Sequence, residues 1–198
     1  RTATNGSRFP ARGNWSPPVL GDLDGDGKLE ILMSAFDGHV YAWKSTGRPV
    51  PGWPVEIKPT EEALAKAGAD PAKLIRDPKL MYSVGVGDVL GTGHPQVFVG
   101  GFDCAEDKDA TFAYGIHPDG NNHPGGPYLA GWPVNLKSLV GCYSDSIDFV
   151  EEGVSPPVIM PVEGKNRVVA SSVGNSPQVI AGDGSIVRGL SLACASDA

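Results

Sequence analysis

The sequence predicts an all-β fold made of repeated units of about four antiparallel strands. The chain holds 27 glycines and 18 prolines among 198 residues, about twice their share in average usage, so turns must be frequent. The runs between these turns are short and apolar, as in all-β proteins. One segment also repeats: "LGDLDGDGKLEILMSA" (20–35) aligns without a gap with "VGDVLGTGHPQVFVGG" (86–101).

Further repeats place three such units along the chain. "SPPVL" at 16–20 returns as "SPPVI" at 155–159, and "GWPV" at 52–55 returns at 131–134. "VIMPVEGKNRVVASS" (158–172) is a third, shorter version of the first pair of runs. A single four-stranded unit cannot bury both of its faces, whereas stacked neighbours can. Repeated units of this size predict the blades of a β-propeller.

The local signals of the first unit agree with four strands. "VYAWK" (40–44) alternates apolar and polar residues and is rich in β-branched and aromatic ones, which predicts a half-exposed strand. "FDGH" (36–39) carries the Asp-Gly pair of a hairpin. Pro54, in "GWPVEI", lacks the N–H that a central strand needs, so the fourth run should be an edge strand.

The boundaries follow from the repeats. We predict one partial propeller domain over 1–198, with a first blade at about 15–57, a second at about 80–136 and a third at about 154–193. Residues 59–77 should form a short inserted helix with a tail, capped by Thr60 and ended at Gly68. Residues 103–110 and 117–130 are expected to be long polar loops.

About three blades are too few for a closed propeller. The third unit also stops at "RGLSLACASDA" (188–198), where its fourth strand should lie. The chain could be part of a longer protein, which we favour, other chains could complete the ring, or extra strands could lie in the insertions.

The first unit contains "DLDGDGKLE" (22–30), which packs four carboxylates into nine residues between two apolar runs. Alternate side chains of a tight turn can converge on one point, and such closely packed carboxylates repel one another unless a cation joins them. Hard oxygen ligands in this number favour calcium over magnesium. We expect Asp22, Asp24 and Asp26 to bind through their side chains, Lys28 through its carbonyl, and Glu30 to close the site.

Two alternatives are distinct. An EF-hand needs Glu at its twelfth position, but the twelfth residue from Asp22 is Met33, so the pattern indicates a β-hairpin loop. The other alternative is a solvated acidic turn that holds no metal.

The segment 17–55 closely resembles the FG-GAP repeat, also called the integrin-α-type or VCBS-like propeller repeat. The resemblance implies a seven- or eight-bladed propeller with calcium held in hairpin loops between adjacent strands of a blade. It assigns ligand roles directly to Asp22, Asp24, Asp26 and Glu30.

The other two units depart from this pattern. The second keeps Asp88 but has Leu90, Thr92 and Gln96 in place of the other acids, and the third has Pro161, Glu163 and Lys165 near the equivalent positions. We therefore expect one calcium ion in this chain, with a structural role, and two loops held by turn chemistry alone.

Composition excludes several classes of function. The formal net charge is -7 and the sequence has no Lys/Arg stripe, which argues against a nucleic-acid partner. No apolar run is long enough for a membrane span, and the first residues lack the apolar core of a signal peptide. The three cysteines fit either one disulfide, expected between Cys104 and Cys142 with Cys194 left over, or three unlinked thiols.

Other candidate residues are few. His117, Asp119 and His123 share one loop and could hold a transition metal, or be ordinary surface groups. Trp53 and Trp132 occupy equivalent repeat positions, which favours packing between blades over sugar stacking. No nucleophile elbow, P-loop or H-E-x-x-H zinc motif is present in the sequence.

Two functions from different classes remain. The first is a non-catalytic, calcium-stabilised module of a secreted or cell-surface protein that binds a protein or a carbohydrate, with further blades supplied by the rest of the chain or another subunit. The second is part of an extracellular enzyme similar to a polysaccharide lyase, with an active site on the propeller face and the charged loop 103–110 as its densest polar segment. A cleft lined by Lys or Arg with a Tyr or His would favour the lyase.

Overall fold

A computed structural model describes residues 14, 16–70, 74–79, 82–105, 108–136, 154–172 and 176–190. Within the ranges 74–79, 102–105 and 108–110 it describes the backbone only. Most of the regular structure is β, in three four-stranded antiparallel sheets and one three-stranded sheet, with one α-helix. None of the helices in these ranges is long and apolar enough to cross a membrane.

The first sheet follows the chain in its strand order. It contains β1 (Val19–Gly21), β2 (Glu30–Ser34), β3 (His39–Trp43) and β4 (Val55–Glu56), paired in sequence. Burial alternates along β2 and β3, as expected of strands with one face against a core. The β2–β3 connection contains the predicted Asp-Gly pair, with Gly38 at φ 81°, and β4 is an edge strand as Pro54 predicts.

The inserted helix α1 spans Glu61–Ala67. Its caps are those predicted: the Thr60 side chain accepts a hydrogen bond from the Ala63 N–H at 3.2 Å, and Gly68 ends the helix in the left-handed conformation at φ 71°. The expected tail up to residue 77 is different, because Leu74–Lys79 forms strand β5.

The second and third sheets repeat the four-stranded pattern. The second contains β6 (Gly85–Gly87), β7 (Gln96–Gly100), β10 (Phe112–Ile116) and β11 (Val134–Asn135). The third contains β12 (Val158–Val162), β13 (Lys165–Ala170), β14 (Gln178–Ile180) and β15 (Ile186–Gly189). A short 3₁₀ helix, Gly120–Asn122, follows β10.

Two predictions about individual segments, one in the second unit and one in the third, are wrong. The segment 103–110 is not a loop: β8 (Phe102–Ala105) and β9 (Lys108–Ala110) form a hairpin, and β8 also pairs with β5 in the three-stranded sheet. These segments form strands through backbone hydrogen bonds, although apolar and polar residues do not alternate along them as the sequence pattern of a strand requires. The third unit, expected to stop where its fourth strand should lie, does have a fourth strand, because β15 (Ile186–Gly189) pairs with β14. Of the two cysteines predicted to pair, Cys142 lies outside the described residues, and only the backbone of Cys104 is described.

The second sheet lies between the other two. Its central strands β7 and β10 are buried along their whole length. Val97, Val99 and Tyr114 join a core shared with the first sheet and α1, whereas Phe98 and Ala113 join a core shared with the third sheet. Because each fully buried side chain of this size contributes about 1.5–3 kcal/mol, these two cores hold the layers together.

A repeated contact connects each sheet to the next. The Trp53 indole N–H donates to the Pro118 carbonyl at 3.0 Å, and the Trp132 indole N–H donates to the Gly182 carbonyl at 2.9 Å. Both tryptophans are 6% exposed, and both Trp–Pro peptide bonds are cis. Just before Trp53, a Cβ at Gly52 would lie 2.0 Å from a backbone carbonyl oxygen of the second sheet's turn, so only glycine fits there. The prediction that these tryptophans pack between units is confirmed.

Candidate metal centre

The acidic loop connects β1 to β2. The last pair of the β1–β2 ladder is Gly21 with Glu30, so the ladder itself sets the two ends of the loop. Gly25 and Gly27 both have positive φ, 73° and 81°, a conformation that glycine adopts without a steric penalty. The backbone can therefore curl back on itself and turn several side chains toward one point.

Three of the predicted side chains converge. Ligand oxygens of Asp22, Asp24 and Glu30 all lie within 4.8 Å of one another, close enough to hold one metal ion. Asp26 is not part of this group. Its carboxylate accepts the Lys28 N–H at 2.8 Å and lies 3.5 Å from the Lys28 ammonium. The Lys28 side chain is 74% exposed and lies beside Asp26.

Asp22 has one buried oxygen that lacks a partner. Its Oδ2 accepts the Gly27 N–H at 3.0 Å, but its Oδ1 is buried and has no hydrogen bond, the one such side-chain atom among the residues described. A buried polar oxygen left unsatisfied costs about 1–3 kcal/mol, and more when it is charged. A bound cation would remove that cost, so the residues present fit a metal ion.

Glu30 is the deepest of the three carboxylates. It is 1% exposed, and its Oε2 accepts the Leu23 N–H at 2.8 Å. This bond fixes the start of the loop to the start of β2. The second oxygen, Oε1, has the Lys44 ammonium 4.0 Å away. A carboxylate buried to this extent needs a positive neighbour or a metal.

Lys44 supplies part of the positive charge. Its ammonium lies 2.7 Å from Asp24 Oδ2. The hydrogen bond from Lys44 holds the pKa of Asp24 below its usual value, and the bond to Asp24 raises the pKa of Lys44. Sequence reasoning missed this lysine. The register could have found it, because Ile31 pairs with Trp43 and the next residue after Trp43 therefore lies beside Glu30.

The equivalent loop of the second sheet has the same backbone but different chemistry. Gly91 and Gly93 have φ of 72° and 84°, close to the values of Gly25 and Gly27. Asp88 accepts the Thr92 N–H at 3.0 Å and the Gly93 N–H at 2.7 Å. Burial opposes the charged form of Asp88, but these N–H groups outweigh it and lower its pKa.

Gln96 closes that loop from within. It is 1% exposed. Its Oε1 accepts the N–H groups of Val89 and Leu90 at 2.9 and 3.1 Å. Its amide nitrogen donates to the His94 carbonyl at 2.6 Å and to the Thr92 hydroxyl at 3.3 Å. In the first loop the residue equivalent to His94 is Lys28, whose carbonyl is a predicted ligand of the ion. The Gln96 NH₂ group therefore contacts the carbonyl that an ion would contact in the first loop.

The third sheet has no comparable loop. Val162 pairs with Lys165, so only Glu163 and Gly164 connect β12 to β13. Both have positive φ, 53° and 75°, as a two-residue hairpin turn requires. Of the three predicted positions, Pro161 and Lys165 are paired strand residues, and the connection is too short to wrap around an ion.

Comparison of the sequence with protein-family models and with curated proteins finds no match to either. The chemistry of the loops and the packing of the sheets therefore carry the functional argument.

Proposed function

We propose that this chain is a calcium-stabilised segment of a β-propeller of the FG-GAP repeat type, and that it serves as a binding module of a secreted or cell-surface protein. The observation that carries the proposal is the unpartnered Asp22 oxygen, buried beside Asp24 and Glu30. The role of the ion is structural: it neutralises carboxylates that join β1 to β2.

The donor set favours calcium among the common metals. Asp22, Asp24 and Glu30 offer oxygen only, with no nitrogen or sulfur ligand in the group. Calcium accepts many oxygen ligands at flexible geometry, whereas magnesium demands a near-ideal octahedron and retains its waters.

The stacking of the sheets supports a propeller. The innermost strands of the three units adjoin, since β6 contacts both β1 and β12. A Cβ at Gly21 would lie 2.5 Å from Val86, and one at Gly87 would lie 2.8 Å from Ile159. The Trp contact between sheets one and two recurs between sheets two and three. Repetition of one contact along a row of sheets is what a propeller requires.

At each end of the row of three sheets, one side of this contact between neighbouring sheets has no partner among the described residues. Leu190 occupies the position in the third sheet that Trp53 occupies in the first. It lies four residues after Ile186, which pairs with the third strand of its sheet, just as Trp53 lies four residues after Pro49. Leu190 is 39% exposed. At the other end, a Cβ at Gly47 would meet nothing within 4 Å, whereas its equivalents in the other sheets meet backbone. Further sheets of the same type would fit both ends.

The exposed apolar side chains are concentrated at one of these two ends. Among the described residues, the third sheet and its end carry most of the exposed large apolar side chains: Val158, Met160, Ile186, Val187 and Leu190. Exposed apolar side chains concentrated in one region mark a surface that another part of a protein covers. We assign this end of the row of sheets to a contact with a further blade.

A binding role agrees better with the described groove than a lyase role does. The groove has a volume of about 580 Å³ and lies between the first two sheets. Its lining includes histidine, aspartate and amide side chains, but no Lys, Arg or Tyr among the described residues. The basic cleft expected of a polysaccharide lyase is therefore not supported by this part of the chain. The side chains of the charged segment 103–110 lie outside those described.

The test is calcium titration by calorimetry together with thermal melts in calcium and in chelator. The wild-type chain should bind one calcium ion and melt at a higher temperature in calcium. Asp24→Ala should lose both effects. Glu62→Ala, which removes an exposed helix carboxylate paired with Lys66, is the matched control and should retain them. A folded wild-type chain that binds no calcium would contradict the proposal.

The binding role needs its own measurement. We expect the chain to retain a carbohydrate or protein ligand on an array in calcium and to lose it in chelator. Calcium binding without any ligand on a broad glycan array would leave a protein partner as the remaining candidate. Cleavage of a uronic-acid polysaccharide, followed by absorbance of the unsaturated product, would instead establish the lyase.

A further inference from the structure

A second group of potential metal ligands lies outside the acidic loop. His117, Asp119 and His123 stand on the single turn that follows β10, and one ligand atom from each lies within 4.8 Å of the others. All three line the groove between the first and second sheets. The group combines two imidazoles with one carboxylate, unlike the oxygen-only set of the acidic loop.

The turn that carries these residues is held in place by its own backbone. The His117 N–H donates to the Pro127 carbonyl at 2.8 Å, and the His117 carbonyl accepts the Gly120 N–H at 2.9 Å. The His123 N–H donates to the Gly120 carbonyl at 3.1 Å. The backbone of such a turn is organised before a ligand arrives, which lowers the entropic cost of binding.

The first sheet holds the same turn from outside. The Asn121 N–H donates to the Gly52 carbonyl at 3.0 Å, and the Asn121 side chain donates to the Pro54 carbonyl at 2.8 Å. The Trp53 indole N–H also donates to the carbonyl of Pro118, which lies between His117 and Asp119 in the sequence. The turn is therefore fixed by the junction of two sheets.

Two of the donor atoms already stand at a suitable spacing. His123 Nδ1 lies 3.1 Å from Asp119 Oδ1. Two ligands of a tetrahedral zinc ion, each about 2.0–2.1 Å from the metal, lie about 3.3 Å apart. An ion could therefore take the place of the shared proton with little movement of these two side chains.

The His117 ring completes the set after one rotation. The rings of His117 and His123 are stacked, with centroids 3.4 Å apart and an interplanar angle of 9°. Nitrogen lone pairs of parallel rings do not converge, because each lies in the plane of its own ring. The His117 ring must therefore turn about its terminal side-chain bond to direct a nitrogen at the ion. That bond rotates freely compared with the backbone.

We propose that His117, Asp119 and His123 form a transition-metal site of the zinc class, separate from the acidic loop. Two imidazoles and a carboxylate suit zinc and its neighbours and not calcium. Three protein ligands would leave a fourth coordination position, and the groove that all three residues line would give access to it. An exogenous ligand with a nitrogen or oxygen donor could therefore bind the ion there.

The experiment is titration of the chain with Zn²⁺ by calorimetry, and with Co²⁺ by visible absorption, in calcium sufficient to saturate the acidic loop. We expect one ion per chain and the intense bands of tetrahedral Co²⁺. His117→Ala and His123→Ala should each weaken binding at least tenfold. Thermal melts check that the variants fold.

His39→Ala is the matched control. His39 also contacts a carboxylate, with Nδ1 3.4 Å from Asp37 Oδ1, but among the described residues it belongs to no cluster of three potential metal ligands. Its loss should leave Zn²⁺ affinity unchanged. Equal affinity in the wild type and in the His117→Ala and His123→Ala variants, or no binding by the wild type, would overturn the proposal and leave a stacked imidazole pair.

Discussion

The loops 22–30 and 88–96 have similar backbone conformations, but they satisfy their buried polar groups differently. In both, a buried side chain at the start of the second strand accepts an N–H from the beginning of the loop: Glu30 from Leu23, and Gln96 from Val89. Glutamine also brings two donors, which satisfy a hydroxyl and a carbonyl of its own loop. Glutamate brings a negative charge and no donor.

The two loops differ in how their buried polar groups are satisfied. In the second loop the buried residue at the start of the second strand is the neutral Gln96, and its hydrogen bonds to the loop hold the turn together. The first loop keeps an unpartnered Asp22 oxygen and relies on Lys44 from the neighbouring hairpin for positive charge. The second turn therefore satisfies its own polar groups, whereas we propose that an ion completes the first. Substitutions in either loop can break or sharpen this comparison.

The largest effect is expected for Gln96→Ala. This change leaves the N–H groups of Val89 and Leu90 without their acceptor and opens a small cavity, so we expect a loss of about 2–4 kcal/mol in the free energy of unfolding. Urea denaturation measures it, and calcium should not restore the loss. Gln178→Ala, which removes a bond to the Ser176 carbonyl, is the control and should cost less than about 1 kcal/mol.

Glu30→Gln gives the first loop the closing residue of the second. The variant should lose the stabilisation that calcium gives the wild type, about 2.7 kcal/mol when calcium is at 100 times its dissociation constant. In chelator it should be at least as stable as the wild type, because one of three crowded carboxylates has become neutral. Melts in calcium and chelator measure both. An undiminished calcium effect would contradict the role assigned to Glu30.

Lys44→Met tests whether the lysine and the ion compete. The Lys44 ammonium lies 2.7 Å from Asp24 Oδ2, on a carboxylate that we assign to calcium, so its removal should tighten calcium binding about two- to fivefold. Calorimetry measures the change. Lys28→Met removes a more exposed lysine that lies near Asp26 and should have a smaller effect. Weaker calcium binding in Lys44→Met would show that Lys44 supports the site.

The smallest effect concerns acid. The pKa of Asp88 is lower in the folded chain than its usual value of 3.8, so its contribution to stability is present above about pH 4 and is lost as the pH falls through the folded pKa. Solvent screening keeps that contribution below about 1 kcal/mol. Asp88→Asn should flatten the acid limb of a stability–pH curve measured by urea denaturation. An unchanged acid limb would assign it to other carboxylates.

Much of the local structure could be predicted because it rests on signals close in sequence. Thr60 and Gly68 define the ends of α1, and Pro54 excludes a central strand. The strands β8 and β9 could not be predicted in this way, because they depend on backbone pairing with each other and with β5, a partner well separated from them along the chain.

The candidate site was predictable in part for the same reason. Asp22, Asp24 and Glu30 converge because of a loop pattern visible in a short stretch of sequence. Lys44 reaches the site only through the pairing of β2 with β3, and Asp26 turns to the neighbouring lysine of its own loop instead of the cluster. Register across strands and competition between nearby partners are properties of the folded chain.

The most direct measurement is hydrogen exchange of the two loops in one sample, with and without calcium. Calcium should slow exchange of the amides at Leu23 and Gly27, which bond to carboxylates of the proposed site. It should leave Val89 and Gly93, their equivalents in the second loop, unchanged. Equal protection of both loops, or of neither, would contradict the claim that an ion completes only the first.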